Sequence, residues 1–103
     1  MLDFGEPIGT EEAGQRPAVV VSDDGMNDGH SGLVIVVPIT STRRALASHV
    51  ELDDPSTGFD EICYARCEDI MSTSERCLTA RLGVAPSLAL FSIDRVLRLL
   101  LSL

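Results

Sequence analysis

All eight basic residues of this 103-residue chain are arginine, and lysine is absent. Arginine is the cation best shaped for phosphate. Its planar fork gives two parallel N–H bonds to phosphate oxygens, and it keeps its charge throughout the pH range of a cell. A small, local arginine site for a phosphate is therefore open to this sequence. A polycation that coats nucleic-acid backbones is not, because sixteen acids bring the net charge to −8. His30 and His49 have the intrinsic pKa for proton transfer. Neither sits in a motif with a partner, and both read as ordinary surface residues. Cys63 and Cys67 have a spacing sometimes used for zinc, but their flanks read as strand and a fourth ligand would have to be a distant histidine. They read instead as small buried or half-buried apolar groups. No metal site and no cofactor is expected.

The charge falls in blocks. Residues 1–28 hold seven acids and one arginine, and residues 51–75 hold eight acids and one arginine. Between them lie Arg43 and Arg44, and four arginines with one acid follow. A polar partner carrying both signs, or a phosphate in a local basic pocket, fits this pattern better than nonspecific polyanion binding. The length allows one domain, spanning 1–103, with no second core. At 45% apolar residues the chain is too hydrophobic for a disordered tail. At 4% aromatic with no tryptophan, it has no row of stacking platforms for single-stranded nucleic acid. Three cysteines and no apolar leader argue against a disulfide framework and for a reducing cytoplasm. Arg95 and Arg98 interrupt the apolar C-terminal stretch, so no membrane span and no membrane partner is expected.

The elements that must position any site are short. Leu2-Asp3-Phe4 alternates like the end of a strand, and the turn formers and acids of Gly5 to Arg16 read as a loop. Ala18 to Val21 is a β-branched strand. Leu33 to Val37 is apolar without interruption, as in a strand buried on both faces, and continues through Pro38 to Thr42. Pro38 has no N–H and needs a bulge or a gap in the ladder. Ser48 to Leu52 alternates as a half-exposed strand. Ile62 to Ala65 and Glu68 to Met71 read as strand segments, Ser72 to Glu75 as a turn, and Cys77 to Leu82 as a strand that Gly83 ends. A helix runs from Pro86-Ser87 to about Leu101, with Leu90, Ile93, Leu97 and Leu100 on one face and an Asp94–Arg98 pair beside it. Its further apolar residues exceed what one small core needs and suggest a partner surface. The order is about six short strands, then one helix: a small, strongly bent antiparallel sheet or barrel closed by a C-terminal helix.

Three segments in this order resemble the MazF/PemK toxins of toxin–antitoxin systems. Gly9-Thr10-Glu11-Glu12-Ala13-Gly14-Gln15-Arg16-Pro17 followed by Val19-Val20-Val21 is similar to the family's G-[ST]-E-x-x-x-x-R-P loop and second strand. Val36-Val37-Pro38-Ile39-Thr40-Ser41 is similar to its strand ending in P-[IV]-T-S. Glu68-Asp69-Ile70 through Arg81-Leu82-Gly83 is similar to its late strand, turn and strand-to-glycine segment. The chain departs from the family's pattern in its acidic balance and at its first strand, where the segment expected before Leu2-Asp3-Phe4 does not appear, as a misplaced start codon or a truly short strand would give.

The resemblance implies a mainly β fold with a C-terminal helix, a small SH3-like, CcdB/PemK-like barrel. It implies a toxin that cuts single-stranded RNA at short sequences without metal, by attack of the substrate's 2′-OH on the adjacent phosphate. The products would be a 2′,3′-cyclic phosphate and a 5′-OH. Arg16 matches the family's catalytic arginine and Thr40 its catalytic threonine. Glu11 is the nearest carboxylate by motif for the role of base. Thr10, Ser41 and Arg43 border the site in sequence and are expected to hold RNA backbone. The partners implied are a cognate MazE-like antitoxin and a second copy in a homodimer. The competing expectation is a CcdB-like toxin that cuts nothing and acts by binding a protein such as gyrase; the Arg16 and Thr40 matches favour the nuclease.

Overall fold

The computed structural model describes residues 7–11, 16–23 and 32–103. Its organising element is strand β3, Leu33–Thr40, the uninterrupted apolar run of the sequence. Val34 and Val36 are buried on one of its faces, Val37 and Ile39 on the other. One edge of β3 pairs with β2 (Pro17–Val20), in the antiparallel register Ala18↔Pro38, Val19↔Val37 and Val20↔Val36. Two strands divide the other edge. β6 (Met71–Ser74) pairs with Leu33 to Val36, and β5 (Cys63–Arg66) with Ile39 and Thr40. Val37 and Pro38 fall between these two ladders. Pro38 thus sits at the ladder gap that its missing N–H calls for.

β4 (His49–Leu52) extends the sheet beyond β5, while β1 (Pro7–Glu11) extends it beyond β2 and is followed by β7 (Leu78–Val84). The order is β4-β5-β3-β2-β1-β7, with β6 also on β3, and every pairing is antiparallel. There are thus seven described strands rather than about six. The added one is β1, in a segment whose turn formers read as loop. It lies between β2 and β7 and pairs with both, so tertiary pairing overrides local composition. Two register shifts along the β1–β7 ladder absorb its irregular sequence. Leu2-Asp3-Phe4 lies outside the described residues.

Two further corrections concern turns. Ser72 to Ser74 belong to β6, and the turn is a 3-10 segment, Glu75–Cys77, whose start is capped by the Ser74 hydroxyl accepting from the Arg76 N–H at 3.2 Å. Gly83 does not end β7, which runs on to Val84. Its reason for being glycine is proximity: a Cβ there would lie 2.4 Å from the carbonyl oxygens of Ser56 and Thr57. Those residues form a 3-10 turn, Pro55–Thr57, closed by Gly58 at φ 82°. A Cβ on Gly58 would lie 2.3 Å from the Leu82 carbonyl oxygen. The turn and β7 meet backbone to backbone through these two glycines.

Helix α1, Ser87–Leu101, covers one face of the sheet. Ala89 and Ile93 are buried against a core that includes Val19, Val37, Ile39, Val50 and Leu52, with Leu90, Val96 and Leu97 partly buried around them. The opposite face carries a smaller cluster, Ala18, Val20, Val34 and Val36, joined by Leu78. The expected stripe through Leu100 is therefore shifted by a residue at its start and shortened at its end. Ala89 joins it, and Leu100 is 48% exposed because the last turn runs past the elements the helix packs on. Leu88, Phe91 and Leu99 are also exposed. Asp94 and Arg98 form the expected pair at 3.2 Å. No helix among the described residues is long and apolar enough to cross a membrane.

Candidate active site

The β2–β3 register decides which residues can work together. Continued two residues beyond Ala18↔Pro38, it brings Arg16, just before β2, opposite Thr40, the last residue of β3. Opposed residues of antiparallel strands share a face. Arg16 and Thr40 do line one cavity, of about 510 Å³, with Pro17, Ile39 and Ser41. Phe59, Glu61, Cys63 and Arg66 complete its wall. Arg16 and Ser41 are exposed at this opening, and Thr40 is half-buried.

The Thr40 hydroxyl is oriented locally. Its oxygen accepts the Thr42 N–H at 3.1 Å, which leaves the O–H proton to be given to a ligand. β5 adds the opposite wall. Thr40 pairs with Tyr64, and the alternation of β5 buries Cys63 and Ala65 while turning Tyr64 and Arg66 to the face of Thr40. The Arg66 guanidinium is held by an ion pair with Asp69, in the 3-10 turn Cys67–Asp69 that follows.

Of the residues expected from sequence, Arg16, Thr40 and Ser41 meet at the cavity. Arg43 does not; it is exposed on the connection after β3. Thr10 and Glu11 lie in β1 rather than in a loop. Thr10 pairs with Pro17, and one step further in that register brings the backbone of Glu11 opposite Arg16. Sequence reasoning missed Phe59, Glu61 and Arg66. Arg66 had a signal, as the single cation among the eight acids of residues 51–75. Phe59 and Glu61 had none, because the connection that holds them is irregular.

His49 corrects a second expectation. It is not a surface residue: its side chain is 3% exposed, and its Nε2 donates to Oε2 of Glu68 at 2.9 Å. Its Nδ1 has no hydrogen-bond partner among the described residues. Burial alone would push the Glu68 carboxyl up, but hydrogen bonds from its own N–H, from His49 and from Ser48 outweigh it and hold the carboxyl below its ordinary value. With the Cys67 N–H donating to the Ser48 carbonyl at 3.1 Å, this pair ties β4 to the turn that carries Asp69. His30 lies outside the described residues.

Cys63 and Cys67 are inert. Burial, helped by the nearby Glu61, raises the Cys63 thiol, and burial with Glu68 pushes Cys67 up to about 11. Neither supplies a thiolate near neutral pH, although Cys63 lines the cavity. The site therefore offers guanidinium, hydroxyl and carboxylate groups, a set suited to stabilising charge on a phosphate.

Residues 1–101 match the family described as PemK-like, MazF-like toxin of type II toxin–antitoxin system. Endoribonuclease MazF9 of Mycobacterium tuberculosis is 34% identical over 107 residues, covering 99% of this chain and 91% of that protein. Endoribonuclease EndoA of Bacillus subtilis is 27% identical, covering 98% and 88%. Among solved structures, a MazE–MazF complex from Deinococcus radiodurans matches at 25% identity with a TM-score of 0.82, over 99% of this chain and 97% of that one. The M. tuberculosis toxin MazF-mt6 matches at 21% identity with a TM-score of 0.83, over 94% and 97%. That last likeness is one of fold.

Proposed function

Because this chain belongs to the PemK-like, MazF-like toxin family of type II toxin–antitoxin systems, we propose that Arg16 and Thr40 are the phosphate-handling pair of its active site. The chain is a MazF-type toxin and an endoribonuclease. The reading as a gyrase-binding toxin without catalysis is not favoured, since its curated relatives are named endoribonucleases. The observation behind the residue assignment is that the β2–β3 register brings Arg16 and Thr40, from separate strands, to one cavity.

The proposed reaction uses the RNA as its own nucleophile. The 2′-OH attacks the adjacent phosphorus in line, the bond to the 5′ oxygen breaks, that oxygen takes a proton from solvent water, and a 2′,3′-cyclic phosphate and a 5′-OH result. Arg16 stabilises the charge that builds on the non-bridging oxygens, through two parallel N–H bonds. Thr40 donates its O–H to the same phosphate, its oxygen already fixed by Thr42. A carboxylate takes the 2′-OH proton. Glu11 is our proposed base, and Glu61 is the carboxylate that lines the cavity; separate Glu→Gln variants distinguish them. Ser41 holds RNA backbone at the cavity edge, and Thr10 and Arg43 are proposed to hold it beyond the cavity. No metal takes part, so EDTA leaves cleavage unchanged, and strict dependence on added Mg²⁺ would refute this chemistry.

Single-stranded RNA is thus the substrate, and a cytoplasmic location goes with it. By extension from the MazE–MazF complexes, the inhibitor is a cognate MazE-like antitoxin. The exposed Leu88, Phe91 and Leu99 of α1 supply apolar surface for a homodimer, which light scattering across a dilution series would register as twice the chain mass. The decisive experiment is Arg16→Ala. The variant should keep its fold and lose on the order of 10²–10³ in cleavage rate. A folded variant that cuts single-stranded RNA at the parent rate removes the assignment.

A further inference from the structure

A cavity of about 510 Å³ is larger than one phosphate needs, and it holds a second cation. Arg66 shares this cavity with Arg16, Thr40 and Ser41, and strand alternation turns it to the face of Thr40. It is the single basic residue among the eight acids of residues 51–75. A lone cation in such a block, half-buried and facing the reaction site, has a more specific use than solubility. Its ion pair with Asp69 involves one terminal nitrogen, and the two side chains are 39% and 42% exposed. A pair this exposed contributes little to stability. It does hold the guanidinium in place, and it leaves further N–H donors of the fork to a ligand.

Single-stranded RNA brings one phosphate with every nucleotide. A strand that presents its reacting phosphate to Arg16 and Thr40 carries a neighbouring phosphate across the same hollow. We propose that Arg66 is a ligand for that neighbouring, non-reacting phosphate, and that Asp69 is the positioning residue that keeps its guanidinium over the cavity. Arg16 and Arg66 then divide the work. Arg16 acts on the phosphate whose charge changes, and Arg66 on one whose charge does not. Arg66 contributes equally to ground state and transition state, so it sets KM and leaves kcat alone.

The inference rests on the endoribonuclease reading, and its test separates the two. Cleavage of a long single-stranded RNA is followed over a series of KCl concentrations for the parent chain, Arg66→Gln and Arg66→Lys. Arg66→Gln should raise KM about tenfold with kcat within about twofold of the parent. It should also flatten the dependence of log(1/KM) on log[salt] by about 0.7, the loss of one phosphate contact on a single strand. Arg66→Lys should restore the salt slope and only part of the KM, because a point charge replaces a fork. If Arg66→Gln fails to fold, Arg66→Met, which keeps an apolar stem in β5, is measured by the same two readouts. A parent that cleaves RNA while the neutral variant keeps its KM and salt slope overturns this inference alone. So does a variant that loses kcat at unchanged KM and slope. A parent that cleaves no single-stranded RNA overturns the underlying reading and this inference with it.

Discussion

Two hollows on this molecule share a wall and carry opposite charge. The first, lined by Arg16, Thr40, Ser41 and Arg66, is built from the ends of β2, β3 and β5. The second, of about 320 Å³, is lined by Asp53, Asp54, Asp60 and Glu61, along the connection from β4 to β5. Phe59 and Glu61 belong to both. The difference is one of construction. Strand ends place few side chains, each at a position fixed by register, so each group is specific and hard to replace. The irregular connection places many acids with little individual constraint, so they act as a field. A polyanion is drawn to the first hollow and repelled by the second, which gives the bound strand a side to avoid.

The largest expected effect falls on the foundation of the acidic hollow. Gly58→Ala meets both a left-handed backbone and the Leu82 carbonyl, so it should cost on the order of 3 kcal/mol. For a domain of this size that is a fall in Tm of roughly 12–24 °C. Gly32 also has positive φ, at 70°, but nothing lies within 4 Å of a Cβ there. Gly32→Ala should therefore cost only about 1 kcal/mol. Equal melting curves for the two variants would mean that the turn is not pressed onto β7.

A smaller effect tests the specificity of the strand-built hollow. Thr40→Val keeps the shape and removes the hydroxyl, so single-turnover cleavage should slow by about 10- to 100-fold, with Thr40→Ser recovering most of it. A valine variant as fast as the parent would leave Thr40 with a backbone role only.

Smaller still is the response of the acidic hollow to neutralisation. Asp53→Asn with Asp60→Asn should raise kcat/KM for RNA by about two- to fivefold at low salt, and the gain should vanish as screening increases. A gain that persists at high salt would assign those acids a contact rather than a field.

The smallest effect is on pH. The Glu68 carboxyl is held below its ordinary value of 4.5 in the folded chain. Its contribution to stability is fully present above that value and is lost as pH falls through the depressed folded value. With the side chain 34% exposed, that contribution is about 0.5 kcal/mol. Glu68→Gln should flatten the acid limb of stability by that much in chemical denaturation at pH 3 to 6, and an unchanged limb would remove the pair from the account.

The same contrast explains what was legible in the sequence. β3 was readable because an uninterrupted β-branched run has few other fates, and Pro38 fell at a gap in the ladder as its chemistry requires. Arg16 and Thr40 were readable through the resemblance alone: each falls in a segment similar to a family motif, Arg16-Pro17 in one and Pro38-Ile39-Thr40-Ser41 in the other, while a strand-end threonine by itself reads as a backbone contact. β1 was not, since its strand character comes from β2 and β7 rather than from Pro7-Ile8-Gly9-Thr10-Glu11 itself. His49 misled because its burial depends on Glu68, nineteen residues away, and no local pattern announces that partner. Phe59 and Glu61 were hidden for a related reason: a turn anchored by glycine contacts to β7 leaves no periodicity in its own residues.

The position of β3 between its neighbours has a consequence for the time at which the chain becomes dangerous. β2 precedes β3, β5 and β6 follow it, and the helix that seals the core comes after every strand. A ribosome delivers these parts in order, at about 5–20 residues per second. When Thr40 has left the ribosome, β3 still lacks β5, and Arg66 has yet to be made. When Arg66 arrives, the apolar face of the sheet still waits for Ala89 and Ile93. Pairings this distant in sequence also close slowly. The site is therefore complete only after α1 has been translated, so no partly made chain that lacks the helix carries the finished hollow.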